Sequence, residues 1–244
     1  LLLAAALALG FMGAIIYLGG LDFDCSNHDT INYRSHWLCG IWNSFSYKSL
    51  CRDGENVFAD PGDPNGLSKI AYHFIAGIMD HAKGMTAITN PIVNSYKRLV
   101  PGYEAPVYIA WSAQNRSPLV RVPAARGAGT RIELRNPDPS ANPYLVLAVC
   151  LAAGLDGIKR ELMPPASTDS NVFKLTDDER EAMGIENIPD NLDRAVRAMK
   201  KDSLIHRTLG SHAFMKYVAY KQKEWNQYRN VVTEWEIKNY LSRY

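Results

Sequence analysis

The run Arg131-Ile132-Glu133-Leu134-Arg135 alternates strictly between charged and apolar side chains. In a β-strand, side chains at i, i+2 and i+4 share a face, so this pattern sets Arg131, Glu133 and Arg135 on one face and sends Ile132 and Leu134 into a core. The chain therefore has to build a sheet that is charged on one side of this strand and apolar on the other. Residues 106–112 and 119–123 read as further strands, joined by connections short enough to predict antiparallel pairing. Around them the apolar spacing is helical. Ile70, Phe74, Ile78 and Met79 mark a helix over residues 68–84 with Gly84 as its stop. Asn142-Pro143 supplies an N-cap and a first-turn proline for a strongly apolar helix to about Leu162, expected to line the back of the sheet. Residues 190–201, 204–209 and 211–230 read as more helices, while Thr176-Asp177-Asp178-Glu179 and Thr233-Glu234-Trp235-Glu236 carry capping signals. The expected class is α+β, an antiparallel sheet backed by helices.

The charged face matters because of what surrounds it. Arg116, Arg121, Arg126, Arg131 and Arg135 crowd one short stretch of a chain whose formal net charge is only +2, which implies a concentrated anion site. Planar guanidinium forks suit phosphate or carboxylate oxygens, and Glu133 between them could hold a divalent metal. The bland alternative is a salt-bridged, solvent-facing strand. Upstream, Asn94-Ser95-Tyr96-Lys97-Arg98-Leu99-Val100-Pro101-Gly102-Tyr103-Glu104-Ala105-Pro106 places a cation and a carboxylate around a Pro-Gly turn. There Arg98 can clamp a carboxylate, Glu104 can take a proton, and the turn can let the loop close as a lid. A solvated surface loop is the alternative there.

Taken together, this loop, the stretch Trp111-Ser112-Ala113-Gln114-Asn115-Arg116-Ser117, the alternating strand, and Asn136-Pro137-Asp138-Pro139-Ser140-Ala141-Asn142-Pro143-Tyr144 resemble the C-terminal catalytic half of bacterial type I glutamine synthetases. The resemblance runs from about Lys48 to Tyr244. It implies ATP-dependent joining of ammonium to the side-chain carboxylate of glutamate through a γ-glutamyl phosphate, with Mg2+ or Mn2+ ions. By that resemblance Glu133 is a metal ligand, Arg98 and Arg135 hold glutamate or its phosphorylated form, and Arg116 and Arg121 face the phosphates. Arg116 also counts among the glutamate-binding and catalytic residues, with Arg135 and Glu104. Arg131 becomes a further nucleotide contact, Ser49 lies near the nucleotide, and Glu104 is the lid carboxylate that takes a proton from ammonium. Family members are cytoplasmic and form two stacked six-membered rings.

Departures from the family pattern lie upstream. The family's Gly-Ser-Gly-Met-His-x-x-Gln-Ser-Leu stretch brings a histidine ligand to the metal, and counting back from Ser49-Leu50 places Phe45 at that position. Ile41-Trp42-Asn43 replaces Gly-Ser-Gly and Lys48 replaces the glutamine. Neither the family's upstream glutamate-bearing strands nor its small N-terminal domain is recognisable before Lys48, so the sheet is expected to be incomplete, with an open edge and an exposed face around Glu133. Residues 1–20 are uncharged and, at about 1.5 Å per residue, long enough to cross an apolar thickness of about 30 Å. The absent basic flank, the first residue Leu1 and the cytosolic relatives lead instead to the expectation that residues 1–47 are foreign to the family, through a shifted frame, a truncated gene or a fused fragment.

Cys25, Cys39, Cys51 and Cys150 fall at irregular spacings that fit neither a zinc site nor a disulfide framework. His73, His81, His206 and His212 show no carboxylate at ligand spacing and read as surface or capping residues. Phe214, Tyr217, Trp225 and Tyr228 read as packing. Phe173 stands where some family members carry a tyrosine that accepts a regulatory nucleotidyl group, so that control is not expected. Nothing in the charge pattern points to nucleic acid. Two readings remain: a glutamate–ammonia ligase whose chain here is the C-terminal part of its active site, or a non-catalytic fragment that binds nucleotide or docks with intact subunits. Relatives that join glutamate to amines or polyamines form a third.

Overall fold

The computed structural model describes residues 31–35, 43–48, 51–52, 55–101, 105–168 and 172–241, with only the backbone course before residue 55. At its centre lies a five-stranded sheet in the order β1-β2-β7-β6-β5, made of β1 (Ile31–Ser35), β2 (Asn43–Lys48), β7 (Arg131–Leu134), β6 (Val120–Arg121) and β5 (Trp111–Ser112). A separate ribbon pairs β3 (Cys51–Arg52) with β4 (Glu55–Asn56).

The alternating segment is a strand as its pattern requires, and Ile132 and Leu134 are buried in the core. Its opposite face is covered as well: Glu133 is 8% exposed and Arg135 5%. The expected exposed charged face is therefore corrected, while the sheet keeps its edges at β1 and β5. Strand β2 pairs with β7, setting Phe45 opposite Leu134 and Ser46 opposite Glu133, and β1 pairs beyond it. Both strands come from a stretch in which the sequence shows no clear periodicity.

A second correction concerns strand direction. β1–β2, β2–β7 and β6–β7 are antiparallel, but β5 and β6 run parallel. After β5 the chain turns on Ser112, whose Oγ accepts from the backbone N–H of Gln114 and Asn115, and then doubles back beside its own start. Leu119 N–H reaches Tyr108 O at 3.2 Å and Val122 N–H reaches Ser112 O at 2.9 Å. A local excursion thus returns the second strand in the same direction as the first.

Helices form the other layer. The first expected helix is two: α1 (Lys69–Asp80), capped by the Ser68 side chain on Ala71 N–H, and α2 (Ala82–Thr89), with His81 between them. Gly84 does not end the helix. It sits inside α2, where a Cβ would come within 2.4 Å of Asp202 Oδ2, so its role is close approach. A short helix α3 (Ser95–Arg98) follows. Then comes α4 (Pro143–Lys159), whose Asn142 cap accepts from Tyr144 and Leu145 N–H as its sequence predicts. Helices α1 and α4 cross backbone to backbone: a Cβ on Gly77 would lie 2.1 Å from Ala153 O, and one on Gly157 would lie 2.2 Å from His73 O.

The remaining helices are α5 (Asp177–Ala182), α6 (Leu192–Lys201), α7 (Ser203–Leu209), α8 (Ser211–Tyr228) and α9 (Glu234–Tyr240). Reciprocal capping boxes open α5 at Thr176 and Glu179, and α9 at Thr233 and Glu236. The core runs continuously from Phe58 and Phe74 through Val120, Ile132 and Leu134 to Val149, Leu192 and Phe214. Among the described residues no helix is long and apolar enough to cross a membrane, and the apolar run at residues 1–20 lies outside them.

Candidate active site

Register across the sheet brings the charged residues together. Glu133 on β7 stands opposite Arg121 on β6, which in turn stands opposite Ser112 on β5. Arg121 Nη1 donates to Glu133 Oε2 at 3.0 Å, and Arg131 Nη2 lies 3.4 Å from Glu133 Oε1. Both oxygens of a largely buried carboxylate are thus engaged by guanidiniums. Burying such a carboxylate unpaired would be costly, and two charge-assisted contacts offset that cost.

The expected grouping of Arg131, Glu133 and Arg135 is modified in detail. Glu133 takes its second arginine from the neighbouring strand β6. Arg135 is buried just past the end of β7, with its backbone N–H on Leu119 O at 3.0 Å. Arg126 belongs elsewhere. Its Nε donates to Asn65 O at 2.6 Å and its Nη1 to Pro123 and Ala125 carbonyls, so it ties two loops together. Arg116 is exposed on the loop after β5.

Arg98 closes α3 and is turned inward. Its Nη2 donates to Asn136 O at 2.6 Å and Pro137 O at 3.0 Å, placing it against the chain that leaves β7. Burial lowers the pKa of this guanidinium, and the charge of nearby Asp138 acts in the opposite sense. Ser49, Glu104 and the Gly102 turn lie outside the described residues. For position 45 the register is described, and it shares a row with Leu134, Val120 and Trp111, one step from the row of Glu133.

Glu133 fits a metal as one ligand, since a carboxylate has more acceptor sites than two guanidinium contacts consume. It does not by itself make a coordination shell. Among the described residues, the group of three side chains close enough to share an ion is Asp80, His81 and Asp156, away from Glu133.

That second cluster corrects the reading of His81 as an unpartnered histidine. Its Nδ1 lies 2.8 Å from Asp202 Oδ2 and its Nε2 lies 3.1 Å from Asp156 Oδ2. Arg160 Nη1 bridges Asp80 at 2.7 Å and Asp156 at 2.9 Å. Burial alone would lower the His81 pKa, but the hydrogen bonds to Asp202 and Asp156 and the charges of Asp202 and Asp80 outweigh it and raise the pKa above 6.5. Carboxylates at both ring nitrogens favour the imidazolium. The histidine therefore holds the α1–α2 junction to α4 and to the start of α7. Of the expected packing residues, Phe214 is buried, Tyr217 and Trp225 pack against the core with Tyr217 Oη donating to Ala87 O at 2.7 Å, and Tyr228 is exposed instead.

Comparison with known proteins gives this geometry a family. The profile of the glutamine synthetase catalytic domain matches residues 45–240. Glutamine synthetase of Clostridium saccharobutylicum is 61% identical over 196 residues, covering 80% of this chain and 44% of the relative. The Methanosarcina mazei enzyme of the same name is 54% identical over 197 residues, with 81% and 44% covered. Among solved structures, a GmaS/ADP complex superposes with a TM-score of 0.73 at 39% identity, covering 83% of this chain and 46% of that one. Apo GmaS gives 0.69 at 38% identity, with 85% and 46% covered. The chain spans less than half the length of the curated relatives it matches. It belongs to the glutamine synthetase catalytic-domain family.

Proposed function

We propose that the protein carrying this chain is a glutamate–ammonia ligase that uses ATP and Mg2+ or Mn2+ to make glutamine through γ-glutamyl phosphate. The observation that carries the reading is the buried Glu133 gripped by Arg121 and Arg131 on adjacent strands, within a segment 61% identical to a glutamine synthetase. All three anionic partners of such a reaction, ATP phosphates, glutamate and the transferring phosphoryl group, need fixed positive charge in a site that excludes water.

Glu133 is the metal ligand, and the metal, when bound, neutralises phosphate oxygens. Arg121, Arg116 and Arg131 serve the nucleotide with Ser49. Arg98 and Arg135 hold glutamate, joined by Arg116, and Glu104 acts as the lid base for ammonium. The GmaS neighbour with bound ADP supports a nucleotide in this fold. Residues 48–244 are assigned to the catalytic domain, and the segment before them, expected to be foreign to it, contributes β1 and β2 to its sheet. The working assembly is a cytoplasmic ring oligomer.

Phe45 at the position matched to the metal-binding histidine favours a second reading for the chain by itself, a non-catalytic fragment that binds nucleotide or docks with intact subunits. Ligation of glutamate to amines or polyamines is the third. The deciding experiment supplies ATP, Mn2+ and glutamate to the purified chain and to the longest natural protein containing it, and measures phosphate release with ammonium and with methylamine. Ammonium-dependent release by the longer protein alone is the expected result. Release by the isolated chain would overturn the weight given to Phe45, and preference for methylamine would overturn the choice of ammonium.

A further inference from the structure

Behind Arg98 lies a polar knot formed by Thr89, Asn90 and Asn136, all buried. Asn90 ends α2, where its backbone N–H caps Thr86 O. Its side-chain amide donates to Asn136 O at 2.8 Å, the same carbonyl that receives Arg98 Nη2 at 2.6 Å. Asn90 Oδ1 accepts from Thr89 Oγ1 at 2.8 Å and from Asn136 Nδ2 at 3.1 Å, and Asn136 Nδ2 also reaches Thr89 Oγ1 at 3.1 Å. Asp138 N–H on Thr89 O at 2.9 Å completes the strap between the end of α2 and the chain leaving β7. Both ends of the Asn90 amide are therefore committed, and one of them fixes the oxygen on which Arg98 leans.

Arg98 itself has a buried donor left over. Its Nε is buried without a hydrogen-bond partner among the described residues. A dehydrated, charged N–H of this kind is costly until an oxygen takes it, and an anionic oxygen takes it most strongly. Two carbonyls hold Nη2, so the guanidinium cannot turn to find water without breaking contacts at 2.6 and 3.0 Å.

We propose that Asn90 is a positioning residue for substrate recognition: by fixing the Asn136 carbonyl it orients Arg98 so that Nε–H is presented to a carboxylate oxygen of the substrate. This rests on the reading above that Arg98 holds glutamate. The chemistry also says why the residue is asparagine. An aspartate at 90 would keep the acceptor for Thr89 and Asn136 but turn an oxygen toward the Asn136 carbonyl, repelling it and drawing the guanidinium away.

The test uses the full-length protein containing this chain, with glutamate affinity measured by titration calorimetry, ATP affinity as internal control, and the Arg98 Nε–H followed by 15N NMR. Asn90→Ala and the near-isosteric Asn90→Asp are expected to weaken glutamate binding about tenfold or more, to leave ATP affinity unchanged, and to accelerate exchange of the Arg98 Nε proton. If Asn90→Ala fails to fold, Asn90→Asp carries the test. An Arg98 Nε signal and a glutamate affinity unmoved by Asn90→Asp would overturn the positioning role. Arg98→Lys is the separate control: unchanged glutamate affinity there would overturn the assignment of Arg98 to glutamate, whatever Asn90 does to the Nε signal.

Discussion

Replacing Asp202 by asparagine removes one charge while sparing the rest of what that residue does. Asp202 Oδ1 caps α7 by accepting from Leu204 N–H at 2.9 Å, and asparagine caps a helix about as well. The loss then falls on Oδ2 and its 2.8 Å contact with His81 Nδ1. A hydrogen bond between charged partners contributes about 1.5–3 kcal/mol. Asp156 still holds the other ring nitrogen, and the exposed Arg160 side of the cluster is screened by water. The lower end of the range applies, about 1.5 kcal/mol of lost stability. The sign with pH follows from the raised His81 pKa. Its contribution is fully present below the unfolded value near 6.5 and is lost as pH rises through the higher folded value. Urea titrations at several pH values from about 5.5 to 9 should therefore show the largest difference between wild type and Asp202→Asn at the acidic end, shrinking upward, with an unchanged m-value. A pH-independent difference would mean that the imidazolium is not what Asp202 stabilises. No difference at any pH would refute the brace.

Two further perturbations probe packing and the charge centre. Gly77→Ala drives a Cβ to 2.1 Å from Ala153 O, a backbone atom that cannot turn aside, and should cost about 3 kcal/mol as α1 and α4 are forced apart, read as a drop in denaturant midpoint; a loss under about 0.5 kcal/mol would mean the crossing is plastic. Glu133→Ala in the full-length protein should abolish Mn2+-dependent ATP binding while leaving Arg121 and Arg131 to repel each other; unchanged affinity would sink the metal role.

Local chemistry was legible and distant chemistry was not. Asn142-Pro143, Thr176 with Glu179 and Thr233 with Glu236 announce helix starts because a cap is written within one turn of chain. The alternation around Glu133 announces a strand for the same reason. Its in-sheet neighbours, β2 and β6, are not indicated by the alternating strand itself. His81 read as a bystander because its partners stand 75 and 121 residues away. Gly84 read as a stop because spacing alone does not reveal Asp202 pressing against it. The parallel pairing of β5 and β6 was missed because a two-residue strand carries no signal of direction. Arginine density marked the stretch around Glu133 but did not sort its members: Arg121 and Arg131 grip Glu133, whereas Arg126 staples loops and Arg116 stands in solvent.

The position of β7 in the middle of the sheet has a consequence for the order of events during folding. Its partner β2 pairs Phe45 with Leu134, so the chain between them must be gathered before Glu133 is enclosed on both sides. Closing so long a loop is slow compared with forming helices from neighbouring residues. Helices α1 and α2 are contiguous in the chain and can form early, while the carboxylate and its arginines meet only when the distant ends of the sheet arrive. Pulsed hydrogen exchange during refolding should protect the amides of α1 before those of β7, so that the charge centre comes into being on a scaffold already built.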